Sequence, residues 1–224
     1  MAQDHAGFDR SAAVTRSLLG WGVVAGVFYL GVGITQGMVR EGFSFTRHPL
    51  SLLMLGEGGW VQSANLIVAG LMVIAAAVGF HRALSLQGGT RATGILVGVY
   101  GASLIGSGIF PPDPVDGFPH PGSTAEATVG GVAHLAMGGV GFLALSAAAL
   151  VMAAWFSRRG DASAALSRAA GGVVLFGFLA GAALSAGAVG ILLLWVAVVT
   201  GWVWLAATSV GLYRTVPHPD TARR

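Results

Sequence analysis

Residues 169–213 read AAGGVVLFGFLAGAALSAGAVGILLLWVAVVTGWVWLAATSVGLY, and none of them is charged. A helix needs about 20 apolar residues to cross the hydrocarbon core of a bilayer, so this run is long enough for two crossings. The small residues between Ser185 and Gly190 are its only plausible turn. The stretch therefore predicts two membrane helices, 170–185 and 188–212, joined as a tight hairpin.

The rest of the chain contains four further apolar segments of spanning length, at residues 18–39, 60–80, 94–110 and 129–155. Only 9% of all residues are charged, whereas soluble domains carry about a quarter. The sequence predicts an all-α polytopic membrane protein with six transmembrane helices. We expect the bundle at 17–213 with outer cap loops at 40–59 and 111–128, a disordered cytoplasmic tail at 1–16 and a second cytoplasmic tail at 214–224.

The distribution of arginine predicts the orientation, because basic residues are retained on the cytoplasmic side of a membrane. With the N-terminus inside, only Arg40 and Arg47 of the twelve basic residues lie in outer segments. Both termini are therefore expected in the cytoplasm. The chain has no lysine and is rich in alanine, glycine and arginine, as in high-GC bacterial proteomes, so we expect a multi-pass protein of the bacterial cytoplasmic (inner) membrane.

Several classes of function are excluded by residues that the chain lacks. There is no cysteine, so no disulfide framework or cysteine-ligated cofactor is expected, and there is no lysine to carry retinal. A net charge of +3 spread over separate segments is not a nucleic-acid-binding patch. No Asp, Glu, Lys or Arg lies inside a predicted span, which argues against a carboxylate-driven transporter.

Polar residues cluster instead in and beside the two outer loops. The first loop contains TRHPLS at 46–51 and then an apolar segment at 50–55, which is too short to span and predicts a short helix on or dipping into the outer interface. Gln62 and Asn65 follow on one face of the second span and would need partners inside a bundle. The second loop, 110–122, contains five prolines, which predict a stiff cap.

Asp113, Asp116 and His120 of the second loop could bind a divalent metal together with His48 and His134. The spacing matches no established metal signature. The alternative is that Arg47 pairs with an aspartate and that the carboxylates cap the proline-rich turns. Metal therefore stays an open cofactor hypothesis, with His48, Asp113, His120 and His134 as its candidate ligands.

His134 is the most informative single residue, because a histidine at the entrance of a span needs a hydrogen-bond partner. Asn65, Ser51 or an aspartate of the cap is the expected partner. A structural hydrogen bond between helices and a ligand-binding or catalytic role both remain open. Haem is disfavoured, since His81 lies at the inner end of its span and cannot pair with His134.

The two outer loops together resemble a known family. The pattern comprises TRHPLS at 46–51, Gly59-Trp60 with Gln62 and Asn65, GIFP at 108–111, Asp113-Pro114, GFP at 117–119, and His134. It resembles the prokaryotic membrane proteins grouped as domain of unknown function 998, over roughly 18–212. The resemblance implies a six-helix integral membrane protein similar to the Frag1/DRAM/Sfk1 type of bundle, and it implies no activity.

Three hypotheses follow for an outer polar cap, whose candidate residues are Arg47, His48, Ser51, Glu57, Gln62, Asn65, Asp113, Asp116, His120 and His134. The first is binding of a lipid headgroup or small amphiphile, with Arg47 on phosphate, the aspartates on an amine and residues 50–55 on the acyl region. The second is a metal-dependent membrane hydrolase or transferase in which Glu57 is the general base. The third is a structural subunit of a larger membrane complex. Membrane lipids are the expected partners, with a homo-oligomer or complex as a further prediction.

Overall fold

The computed structural model describes residues 8–115, 117–123 and 126–220. Six α-helices make up most of this chain, and each is long and apolar enough to cross a membrane. They are α1 (Arg10–Val39), α2 (Gly59–Leu86), α3 (Ala92–Ile109), α4 (Val129–Arg158), α5 (Ser163–Ala183) and α6 (Ala188–Thr215). The prediction of an all-α, six-span membrane protein is confirmed.

The helices form a closed ring in which each packs against the next along the chain, and α1 packs against α6. Helix α2 also contacts α6 across the ring. Buried apolar side chains fill the end of the bundle that carries both termini, among them Phe80, Met152 and Leu205. The two cap loops lie at the opposite end of the bundle.

The residues flanking the bundle fold further than predicted. Helix α1 begins at Arg10, with Asp9 accepting the N–H of Ala12 as its N-terminal cap. The disordered tail predicted for 1–16 is therefore wrong for residues 10–16, because these add turns to α1. The Asp9 N–H donates to the Pro219 carbonyl (3.0 Å), so the two ends of the described chain meet. Residues 1–7 and 221–224 of the predicted tails lie outside the described residues, and which side is cytoplasmic stays a prediction.

Close approach between helices depends on glycine. A methyl group on Gly70 of α2 would meet the Gly101 carbonyl of α3 at 2.6 Å, and one on Gly101 would meet the Gly70 carbonyl at 2.8 Å. Likewise Gly26 faces Trp202, and Gly177 faces Ala197. This is the small-residue packing that membrane helices use in place of hydrophobic burial.

The first cap loop contains a short 3-10 helix (Leu50–Met54), here called the loop helix, where the sequence predicted a short helix at 50–55. Leu50, Leu52, Leu53 and Met54 are buried, and the loop helix packs against α1 and α2. Because four of its five side chains are apolar, this packing removes apolar surface from water. Its place on or dipping into the outer interface stays a prediction.

Candidate functional site

A cavity of about 500 Å³ occupies the cap-loop end of the bundle. All six helices, the loop helix and the second cap loop contribute to its wall. Apolar side chains form most of the wall, including Leu50, Leu66, Leu104, Phe142 and Phe178. Ligand sites in proteins are typically concave and mostly apolar, with volumes of about 300–1,000 Å³. This cavity falls in that class.

Three aromatic side chains from different helices form the floor of the cavity. The rings of Tyr29 (α1) and Trp202 (α6) have centroids 5.2 Å apart, and those of Tyr100 (α3) and Trp202 are 5.7 Å apart. All three residues are more than nine-tenths buried. The floor therefore closes the cavity toward the packed half of the bundle.

The mouth lies between the start of α4 and the turn that joins α5 to α6. Leu135 lines the cavity and yet is 58% exposed. Ser185 and Ala186, on the turn across from it, are exposed lining residues too. Leu135 stands six residues into α4, or about 9 Å along its axis. The opening therefore extends down the side of the bundle below the helix end.

Asp113 of the second cap loop is fixed against the N-terminus of α4. Its Oδ1 accepts the Thr128 hydroxyl (2.6 Å), and both carboxylate oxygens accept the Thr128 N–H (3.2 and 3.3 Å). The carboxyl group lies so close to Gly131 that a methyl group there would overlap it. A carboxylate is stabilised at this position by the helix dipole. The prediction had the carboxylates capping the proline-rich turns; Asp113 instead binds Thr128, the N-cap residue of α4, and it also lines the cavity.

His134 stands one turn further along α4 and also lines the cavity. Its Nδ1 lies 3.0 Å from the Ser107 carbonyl and 2.8 Å from the Phe110 carbonyl, both at the end of α3. Since carbonyls only accept, Nδ1 carries the proton and donates. The predicted interhelical hydrogen bond is therefore present, but its acceptors are backbone carbonyls. The expected partners, Asn65, Ser51 or an aspartate, were wrong because the end of α3 has unpaired carbonyls within reach.

His48 lies inside the cap, where only 1% of it is exposed. Its Nδ1 accepts the Ser44 N–H (3.0 Å), and its ring packs against Phe43 and Phe118 at centroid distances of 5.5 and 5.3 Å. His48 does not line the cavity. The contacts show a residue that organises the fold of the first cap loop.

Gln62 and Asn65 are buried and partnered, as their shared helix face predicted. The Asn65 amide donates to the Gln62 Oε1 (3.0 Å) and to the Tyr29 carbonyl (3.0 Å). Neither residue lines the cavity. They join α1 to α2 beneath the loop helix.

The remaining predicted cap residues are distributed differently. Ser51 lines the cavity, whereas Arg47, Glu57 and His120 are exposed and do not. Asp116 lies outside the described residues. Within the described part of the chain, no three His, Asp or Glu side chains are grouped to hold a metal ion. The proposed set of His48, Asp113, His120 and His134 is thus divided, with only Asp113 and His134 at the cavity.

Sequence reasoning missed the apolar and aromatic members of the site. Tyr29, Tyr100 and Trp202 lie within spans, where an aromatic residue is ordinary, and only their position on inward-facing sides marks them. It also missed Arg40, whose Nη2 donates to the Leu55 carbonyl (2.7 Å) and whose guanidinium lies over the Phe118 ring. Arg40 joins the two cap loops.

Comparison with known proteins gives one match. Residues 23–211 match the family model described as "Protein of unknown function (DUF998)". No curated protein and no solved structure matches. The match covers the bundle and both cap loops, in agreement with the resemblance carried by the loop motifs.

Proposed function

The chain belongs to the DUF998 family of proteins of unknown function, and we propose that it binds a small amphiphile, such as a membrane lipid, in the cavity at the cap-loop end. The observation that carries the proposal is the cavity itself: it is apolar, walled by all six helices, and open beside the exposed Leu135. Membrane-spanning helices already place the protein in contact with lipid.

The polarity of the cavity supports an amphiphile over a wholly apolar or wholly polar ligand. Asp113, His134 and Ser107 lie near the mouth. Tyr100 lies seven residues before Ser107 on α3, or about 10 Å deeper. A ligand with a polar head and an apolar chain would place its head beside the polar residues at the mouth and its chain against the deeper apolar wall. It would enter through the side opening without its chain crossing water.

The experiment uses tryptophan fluorescence, because Trp202 forms the floor. The protein is reconstituted in lipid nanodiscs and titrated with a neutral undecyl alcohol that carries a terminal bromine, a contact quencher. We expect saturable quenching, most of which Trp202→Phe removes; Trp195 also lines the cavity, so the double variant Trp195→Phe/Trp202→Phe should remove the rest. The remaining tryptophans that face lipid give the unsaturable background.

A pair of glycine variants tests whether the cavity is the site. Gly138 lines the cavity, and a methyl group there meets only the Phe178 ring at 3.9 Å, so Gly138→Leu fills the space. Gly172 of α5 has nothing within 4 Å of an added methyl group and does not line the cavity. Gly138→Leu should abolish saturable quenching and Gly172→Leu should keep it. Equal quenching in both variants would refute the proposal.

A further inference from the structure

Resting on the proposed amphiphile site, we propose that the preferred ligand has a cationic, ammonium-type head, bound by Asp113 with the Nε2 of His134 beside it. This reverses part of the sequence-based hypothesis, in which Arg47 would hold a phosphate. The charge and the hydrogen-bonding capacity of the cavity both support the change.

The charge of the cavity wall is negative. Among its described lining residues Asp113 is the only carboxylate, and none is arginine. Arg40 of the cap does not line the cavity and is engaged with the Leu55 carbonyl and the Phe118 ring. A phosphate or carboxylate head at the mouth would therefore meet a like charge with no cation on the wall, which costs free energy in a partly desolvated site.

The two ionisable groups near the mouth, Asp113 and His134, offer acceptors, and the lining hydroxyls of Ser51, Ser107 and Ser185 can accept as well as donate. Asp113 is acceptor-only when ionised. The Nδ1–H of His134 is used by the carbonyls at the end of α3, so in the neutral ring Nε2 is an acceptor. The Ser103 hydroxyl donates to the Tyr100 carbonyl (2.7 Å), and the Trp195 indole donates to the Phe45 carbonyl (3.2 Å). A head group that brings donors satisfies this set.

The two principal acceptors approach each other at the start of α4, Asp113 from the second cap loop and His134 from the helix itself. The Asp113 carboxyl group occupies the place that a Cβ on Gly131 would take, and His134 is three residues further along. Helix positions at this spacing are neighbours, with Cβ atoms about 5–6 Å apart, so the carboxyl group lies at about that distance from the His134 Cβ. Thr128 binds Oδ1 most closely and reaches Oδ2 only through the longer N–H contact, so Oδ2 retains acceptor capacity. One ammonium group can donate to both residues.

The experiment compares three probes that share the bromoundecyl chain and differ only in the head: a primary ammonium, the neutral alcohol and a carboxylate. Binding to the wild-type protein is measured by Trp202 quenching in zwitterionic nanodiscs at low ionic strength. The ammonium probe should bind up to about fivefold tighter than the alcohol, as expected for one partly exposed charge pair, and the carboxylate should bind weakest. Asp113→Asn should remove the advantage of the ammonium head while the alcohol still binds.

The control is Glu57→Gln, which removes an exposed carboxylate of the first cap loop that does not line the cavity. It should leave the order of the three probes unchanged, which excludes a general surface-charge effect. Asp113→Glu keeps the charge and should keep the preference, even if Asp113→Asn weakens folding.

The outcomes separate the two proposals. If all three probes bind the wild-type protein with equal affinity, or the carboxylate binds tightest, the cationic head is refuted and the amphiphile site stands. A preference for ammonium that survives in Asp113→Asn also refutes it. If no probe gives saturable quenching, the amphiphile site itself has failed.

Discussion

Replacing Gly131 by alanine tests the seating of Asp113 on α4. A methyl group at this position would overlap the whole carboxyl group. A carbon and an oxygen in contact need more than about 3 Å, so the carboxylate must move by about 1 Å. That displacement breaks the bonds from Thr128, the strongest of which spans 2.6 Å.

The magnitude follows from two opposing effects. Hydrogen bonds to a charged group contribute about 1.5–3 kcal/mol to stability. Because Asp113 is partly exposed, we place the stability lost with its bonds to Thr128 at the lower end of this range. Alanine is a better helix former than glycine by up to about 1 kcal/mol. Since the contacts of Asp113 include both the hydroxyl and the N–H of Thr128, the loss is larger than the gain. We expect Gly131→Ala to be about 1 kcal/mol less stable than the wild-type protein.

The matched control is Gly130→Ala, one residue earlier on the same helix. Its methyl group would meet only ordinary contacts, the nearest being the Pro111 carbonyl at 3.6 Å. The free energy of unfolding is measured in mixed micelles by titration with a denaturing detergent, and ammonium-probe binding is measured alongside. Gly131→Ala should lose both stability and head-group preference, and Gly130→Ala should lose neither. Equal behaviour of the two variants would refute the seating of Asp113 on Gly131.

Two further predictions concern the packing of the ring. Gly101→Ala should lower the free energy of unfolding by about 1–3 kcal/mol, because its methyl group would meet the Gly70 carbonyl at 2.8 Å and the backbone there cannot move away. Gly98→Ala, whose nearest contact would be 3.7 Å, is the control. A Gly101→Ala variant as stable as this control in the same detergent titration would contradict the close contact. Ser146→Ala should cost about 0.6 kcal/mol and at most about 1.7, since its hydroxyl donates between helices to the Gly171 carbonyl at 2.6 Å. A loss well above that range, measured the same way, would indicate that Ser146 has a further role.

Most of the fold was predictable because apolar length alone identifies a membrane helix. The run 169–213 predicts its own hairpin, and the structure places that turn between Ala183 and Ala188. What the pattern could not supply is which helices are neighbours. That arrangement depends on close contacts such as the one between Gly70 of α2 and Gly101 of α3. Many other glycines of the spans also lie among small and apolar residues, so the sequence does not distinguish the pair that makes the contact.

The candidate site was predictable only in its polar part. Asp113 and His134 stood out because ionisable residues beside a span need partners. Their actual partners, a hydroxyl on the next helix and two backbone carbonyls, are set by the geometry of helix ends and have no signature in side-chain types. The aromatic floor could not be predicted from the sequence, since Tyr29 and Trp202 are distant in sequence and only their inward-facing position in the fold marks them.

The contact between Tyr29 and Trp202 has a consequence for biosynthesis. The two rings belong to α1 and α6, so the floor joins the first and last helices of the ring. Proteins are made from the N-terminus, and earlier segments enter the membrane before later ones exist. Helix α1 packs on α2 and the loop helix, but the side of α1 that α6 covers must therefore stay without a protein neighbour until α6 has been inserted. Five helices without the sixth lack Trp202, so the floor and the cavity are completed only with the last insertion step.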